Sequence, residues 1–213
     1  MAFTLQHNEL TIELFDDSAF YQKPDSPTSY DKVIQDDKDK PYTPTSQHAI
    51  KVYKNDDLIV SAIVLASGGG TGVHADTALI HNDNLIIRCC NKVFSLTLPN
   101  LDTNWVTEAD LATCFSIHKY QDTYISHGEM AIARIDKTGN KLWSYSGADI
   151  FVCLYSGDPF KMHDSHIALT DFNGRCYQID YDGKTINNIP SISTKLYSST
   201  DPVKTNNRWW KFW

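Results

Sequence analysis

The sequence predicts an all-β chain folded as a propeller-like arrangement of about four antiparallel sheets, a small or incomplete β-propeller, with an irregular β-sandwich as the alternative. Three observations carry this expectation. A phrase repeats: residues 132–143 read Ile-Ala-Arg-Ile-Asp-Lys-Thr-Gly-Asn-Lys-Leu-Trp, residues 176–186 read Cys-Tyr-Gln-Ile-Asp-Tyr-Asp-Gly-Lys-Thr-Ile, and residues 93–105 carry a looser copy ending in Trp105. The copies recur at a spacing of about 40 residues, the length of one four-stranded blade. Apolar residues alternate with polar ones over short runs, and those runs are separated by Asn-Asp, Thr-Gly-Asn, Asn-Gly and Asp-Gly turns that tolerate positive φ.

Taken in order, Phe3 to Leu5 and Leu10 to Phe15 flank the polar turn His7-Asn8-Glu9 and read as an N-terminal hairpin (1–15). Residues 16–47 lose periodicity and carry Pro24, Pro27, Pro41 and Pro44. They read as a long Pro-rich surface connection with one short helical turn near Tyr30 to Ile34. The repeat-bearing body spans 48–190. Ala49 to Tyr53 and Leu58 to Leu65 form its first hairpin. Leu79-Ile80, Leu85 to Cys90 and Lys92 to Leu98 form a meander.

Cys114 to Ile117, Tyr124 to Ser126, Ala131 to Asp136 and Lys141 to Tyr145 form the next set. Ile150 to Leu154, Ile167 to Thr170, Arg175 to Asp180 and Lys184 to Ile189 form the last. Thr107 to Leu111 reads as one helical turn capped by Thr107. The chain closes on an aromatic tail (191–213) that ends Arg-Trp-Trp-Lys-Phe-Trp. The whole of 1–213 is expected to be one β domain.

Bulk properties narrow the function classes. A net charge of −7 over 213 residues opposes non-specific binding of nucleic acid or of anionic membranes. No apolar run approaches the ~18 residues that would suggest a membrane span. Five scattered cysteines, Cys89, Cys90, Cys114, Cys153 and Cys176, do not make a disulfide framework, and the opening segment lacks a basic region followed by an apolar one. The expected location is therefore the cytoplasm. No metal-ligand spacing and no nucleophile elbow occur, so neither a metal, a cofactor nor a catalytic residue is expected.

The phrase Ile135-Asp136-Lys137-Thr138-Gly139-Asn140-Lys141-Leu142-Trp143 resembles the blade repeat of the quinoprotein (pyrroloquinoline-quinone-like, PQQ-like) β-propellers. Ile179 to Lys184 matches it without the Trp, and Phe94 to Trp105 matches with one extra residue and Asn100 in place of Gly. The resemblance covers about residues 77–190 and implies a propeller in which each Trp stacks on the adjoining blade. Full members of the family have about eight blades, and this chain has room for about half that number. Their cofactor-holding residues have no counterparts here, so the resemblance implies a short non-catalytic member. Its general character is that of a bacterial accessory protein that binds a protein partner.

Candidate sites follow from residue type and spacing. The glycine loop 68–72, with Gly69, Gly70 and Thr71, is a candidate ligand-binding wall or an inter-blade connection. His74 with Asp76 and His127 with Glu129 place an imidazole and a carboxylate two residues apart. They are the candidates for a ligand-binding or enzymatic site at a central channel. Cys89 and Cys90 read as two small strand residues facing opposite sides of a sheet. Trp209, Trp210 and Trp213 are candidate partner-binding anchors, with packing against the body as the alternative.

Overall fold

The computed structural model describes residues 2–20, 29–35, 43–153 and 157–186. Among them every regular element is a strand, and the strands form four sheets in chain order. Sheet 1 holds β1 (Phe3–His7), β2 (Leu10–Asp16), β3 (Lys32–Gln35), β4 (Ser46–Lys54) and β5 (Asp57–Ala66), in the order β1-β2-β4-β5-β3. Sheet 2 is the meander β6 (Ala78–His81), β7 (Asn84–Cys89), β8 (Lys92–Thr97), β9 (Thr103–Glu108). Sheet 3 is the meander β10 (Cys114–Tyr120), β11 (Thr123–Gly128), β12 (Ile132–Asp136), β13 (Lys141–Tyr145). Sheet 4 holds β14 (Phe160–Met162), β15 (Ile167–Thr170) and β16 (Cys176–Ile179), to which Thr185 adds a bridge opposite Ile179. The fold is all-β and propeller-like.

Alternation decides which face of each sheet is buried, and the buried faces meet in three successive cores. Ile12, Leu14, Ile50, Val52, Ala62 and Val64 of sheet 1 pack against Leu85, Ile87, Phe94 and Leu96 of sheet 2. The other face of sheet 2, with Ile86 and Val93, packs on Ile117, Tyr124 and Ile135 of sheet 3. Ile125 and Ile132 of sheet 3 meet Phe160, Ile167, Leu169 and Ile179 of sheet 4. A two-residue period thus serves two cores at once in sheets 2 and 3.

The repeated phrase is one local structure built several times. In the turn Asp136 to Asn140 the Asp136 N–H donates to the Asn140 carbonyl at 2.9 Å, and the Asn140 N–H returns to Asp136 Oδ1 at 2.9 Å. The turn Asp180 to Lys184 repeats both bonds at 2.9 Å. Asp171 to Arg175 does so at 3.0 and 2.9 Å, between β15 and β16. The strand that follows bulges at the same register in sheets 2 and 3, so Trp105 opposes Ser95 and Trp143 opposes Arg134. In sheet 4 Thr185 opposes Ile179 as Lys141 opposes Ile135, so Ile186, whose N–H donates to the Gln178 carbonyl at 2.8 Å, takes the place of Leu142, and the position that corresponds to Trp143 lies outside the described residues.

Each Trp then docks on the next sheet's turn. Trp105 Nε1 donates to the Lys137 carbonyl at 3.0 Å and Trp143 Nε1 to the Tyr181 carbonyl at 3.0 Å. The indoles lie on Gly139 and Gly183, where a Cβ would come within 2.7 Å of the ring and where φ is +90° and +78°. Glycine is required there twice over, by backbone conformation and by the approach of the ring.

Several local expectations are corrected. The segment read as a helical turn near Tyr30 to Ile34 contains β3, a parallel edge strand beside β5. Its β-branched Val33 and Ile34 pair with Ile63 and Val64, and Ile34 is buried, which outweighs any helical tendency of so short a run. Sheet 1 is therefore mixed rather than purely antiparallel. Thr107 to Leu111 forms no helical turn, because Thr107 and Glu108 complete β9 against Val93 and Lys92. Residues 150–153 are not a strand, and sheet 4 starts at Phe160. Residues 187–213, including the end of the last predicted strand and the aromatic tail, lie outside the described residues.

Candidate functional site

Antiparallel meanders linked in sequence put the connections between sheets, and the second hairpin turn of each sheet, at one end. At this end backbone hydrogen bonds run from sheet to sheet. Gly69 N–H donates to the Ala112 carbonyl (2.9 Å), Glu129 N–H to Thr113 (2.9 Å), Phe151 N–H to Glu129 (2.8 Å) and Phe172 N–H to Ile150 (2.8 Å). The loops are therefore parts of one hydrogen-bonded arc.

Asp110 ties the middle of the arc. It is 3 % exposed, and its two oxygens accept four backbone N–H groups. Oδ1 takes Ala112 (2.7 Å) and Thr113 (3.1 Å); Oδ2 takes Met130 (2.9 Å) and Ala131 (2.8 Å). One carboxylate fixes both the β9–β10 connection and the β11–β12 turn. Gly128 makes room for it, since a Cβ there would sit 2.2 Å from Asp110 Oδ2. Asp171 does related work in sheet 4, where its carboxylate accepts Arg175 N–H and the Tyr177 hydroxyl (2.9 and 2.7 Å).

From these fixed turns three large apolar side chains point outward: Leu111 is 81 % exposed, Met130 40 % and Phe172 39 %. A single exposed Leu on a protein surface is ordinary. Three on one end, each next to a backbone group pinned by a carboxylate or by the arc, form a pre-ordered apolar row. Sequence reasoning missed them. The readable signal is a large apolar residue where a tight turn normally carries a polar one, as in Ala-Asp-Leu-Ala, Gly-Glu-Met-Ala and Asp-Phe-Asn-Gly.

Most of the residues singled out from the sequence are engaged within the fold. In the glycine loop, Gly68 N–H donates to Thr45 Oγ1, Gly69 N–H to Ala112 O, Thr71 N–H to Ser46 Oγ, Val73 N–H to Asp16 Oδ2 and His74 N–H to Thr77 Oγ1. Donors that would cradle a phosphate are thus engaged in joining sheets 1, 2 and 3. Gly70 lies exposed between them. Behind the loop Arg88, fully buried, donates to Thr71 Oγ1, the Gly72 carbonyl, Thr77 Oγ1 and His74 Nε2. Burial and the Arg88 charge hold the His74 pKa below its usual value. Asp76 is exposed at the entry to β6.

His127 is buried against Phe160 in the core between sheets 3 and 4, with Nε2 3.2 Å from the Phe151 carbonyl. Burial pushes its pKa down to about 4. Glu129 is half-buried at the β11–β12 turn, and its backbone carries the arc. Two cavities of about 550 and 340 Å³ lie beside Lys32 and Asp102 and beside Tyr120 and Arg134; none of these seven residues lines either. Cys89 and Cys90 do not face opposite sides. Cys90 is a turn residue at φ +53°, and both thiols are buried in the core between sheets 1 and 2. Trp209, Trp210 and Trp213 lie outside the described residues.

No family model and no curated protein matches the chain. Among solved structures, BamB from Moraxella catarrhalis is 13 % identical over 67 % of this chain and 43 % of that one, with a TM-score of 0.45. The AfRom2 CNH domain is 10 % identical over 87 % of this chain and 52 % of that one (TM-score 0.47). The dihydro-heme d1 dehydrogenase NirN is 12 % identical over 68 % and 34 % (TM-score 0.47). The chain spans about half the length of these structures or less.

Proposed function

We propose that this propeller-like chain acts by binding, as an accessory protein whose loop end docks on another protein. In this reading its turn-and-Trp phrase is a short, non-catalytic use of the PQQ-like repeat. The observation that carries the proposal is the row Leu111, Met130 and Phe172, apolar side chains held in water by turns that are themselves fixed. Exposed apolar side chains that cluster mark interaction sites, and Met and aromatic residues are enriched in interfaces. A scaffold already ordered before contact loses little conformational entropy on binding.

The test is affinity capture from the source cells with the intact chain and with the triple variant Leu111→Ser, Met130→Ser, Phe172→Ser. The variant is expected to melt within a few degrees of the parent, because the three side chains are exposed, and to lose the captured protein. A folded triple variant that retains the same partner at the same yield would contradict the proposal.

A further inference from the structure

The charges around the apolar row narrow what can sit on it. Asp76, Glu129, Asp149 and Asp158 stand at the loop end, exposed or half-buried. Beneath them lie the buried carboxylates of Asp110 and Asp171, whose hydrogen bonds come from N–H and hydroxyl donors of neutral groups. Among the described residues the basic side chains at this end are Lys92, Arg175 and Arg88; Lys92 faces Glu108 directly across β8 and β9, and Arg88 is buried behind the glycine loop. The histidines here add little positive charge at neutral pH. His74 accepts from the buried Arg88, and His127 and His118 are packed on Phe160. The field over the row is therefore negative, at the end of a chain whose net charge is already −7.

We propose that the occupant of the loop end is a cationic, apolar peptide segment of a partner protein. Its apolar side chains would cover Leu111, Met130 and Phe172, and its lysines or arginines would meet Glu129, Asp149, Asp158 and Asp76. This rests on the binding reading above and adds the chemistry of the partner. Complementary charge chooses the partner and speeds encounter, while the apolar row supplies the desolvated contact.

The probes are short labelled peptides of Leu and Lys, of Leu and Glu, and of Ser and Lys, titrated onto the full chain by fluorescence anisotropy. The Leu–Lys peptide is expected to bind, and to weaken by about tenfold between low and high salt. Glu129→Gln with Asp158→Asn removes two charges that make no side-chain hydrogen bond among the described residues. This pair is expected to weaken Leu–Lys binding by about fivefold. Asp164→Asn with Asp182→Asn, beside the cavity at Tyr120 and Arg134, should leave it unchanged.

Equal binding of Leu–Lys and Leu–Glu peptides would overturn the proposal. So would equal binding of Ser–Lys and Leu–Lys, no binding by any peptide, or an effect of the Asp164/Asp182 pair as large as that of the Glu129/Asp158 pair. Self-association of the chain alone that is abolished by Leu111→Ser would assign the row to a second copy and overturn it too. If the triple variant loses its captured partner while the peptides fail, the partner chemistry falls and the binding reading stands.

Discussion

Trp143 and Gly183 show how much of this fold is decided by single residues. The ring needs a neighbour without a Cβ, and the turn needs a residue at φ +78°; one glycine satisfies both. Gly183→Ala should cost about 1–3 kcal/mol in the parent through the positive φ and the clash. In a Trp143→Ala background the clash is gone and the cost should fall to about 1 kcal/mol. Chemical denaturation of the four proteins of this double-mutant cycle measures the difference, and purely additive effects would show that the ring and the turn do not interact.

His127 has a separate signature. Its folded pKa of about 4 lies below the unfolded value, so the unfolded chain takes up its proton first as pH falls. Stability from the neutral, buried ring is complete above about pH 6.5. It is lost as pH drops toward 4, by about 2 kcal/mol between pH 7 and pH 5. His127→Gln should be less stable than the parent at pH 7, and the gap should close by that amount at pH 5. A pH-independent gap in unfolding free energy would show that His127 is not buried neutral.

The elements follow from the sequence where alternation and turn chemistry agree, as in β4–β5, β7–β8 and β10–β13. They depart from it where a long-range partner decides the outcome. Lys32–Gln35 carries too few residues to announce a strand, and it becomes one because β5 offers Ala62 to Leu65 as a parallel neighbour. Around Thr107 to Leu111 the sequence offers Thr107 as a helix cap. The hydroxyl of Thr107 instead donates to the Gly139 carbonyl, and Asp110 ties two connections at once. No spacing rule announces a carboxylate that accepts from Ala112 and Ala131, nineteen positions apart in the chain. Asp110→Asn replaces one acceptor oxygen with a donor facing N–H groups, and should cost about 2–4 kcal/mol. The denaturation midpoint should fall with the slope unchanged. A loss below about 0.5 kcal/mol would show that the tie does not hold the loops.

At the scale of the whole molecule, the described residues form four sheets in chain order that share three cores, and the repeated phrase supplies the Trp and the turn that clamp sheet 2 to sheet 3 and sheet 3 to sheet 4. The period of about 40 residues makes that architecture legible in the sequence. The candidate site was much less legible. Histidines and glycines attract attention as chemical residues, yet here Gly69, Thr71 and His74 join sheets and His127 fills a core. Leu111, Met130 and Phe172 read as ordinary apolar residues until the turns beneath them are seen to be fixed.

The most direct test is site-specific photo-crosslinking in the source cells, with the crosslinking side chain placed at Leu111 and, in a second variant, at Leu142. Leu142 is also exposed, at 51 %, but sits on β13 away from the loop end. A defined protein adduct at position 111 and none at 142 is the predicted result. The same adducts at both positions, or an adduct at 142 alone, would contradict the assignment of the loop end as the binding face.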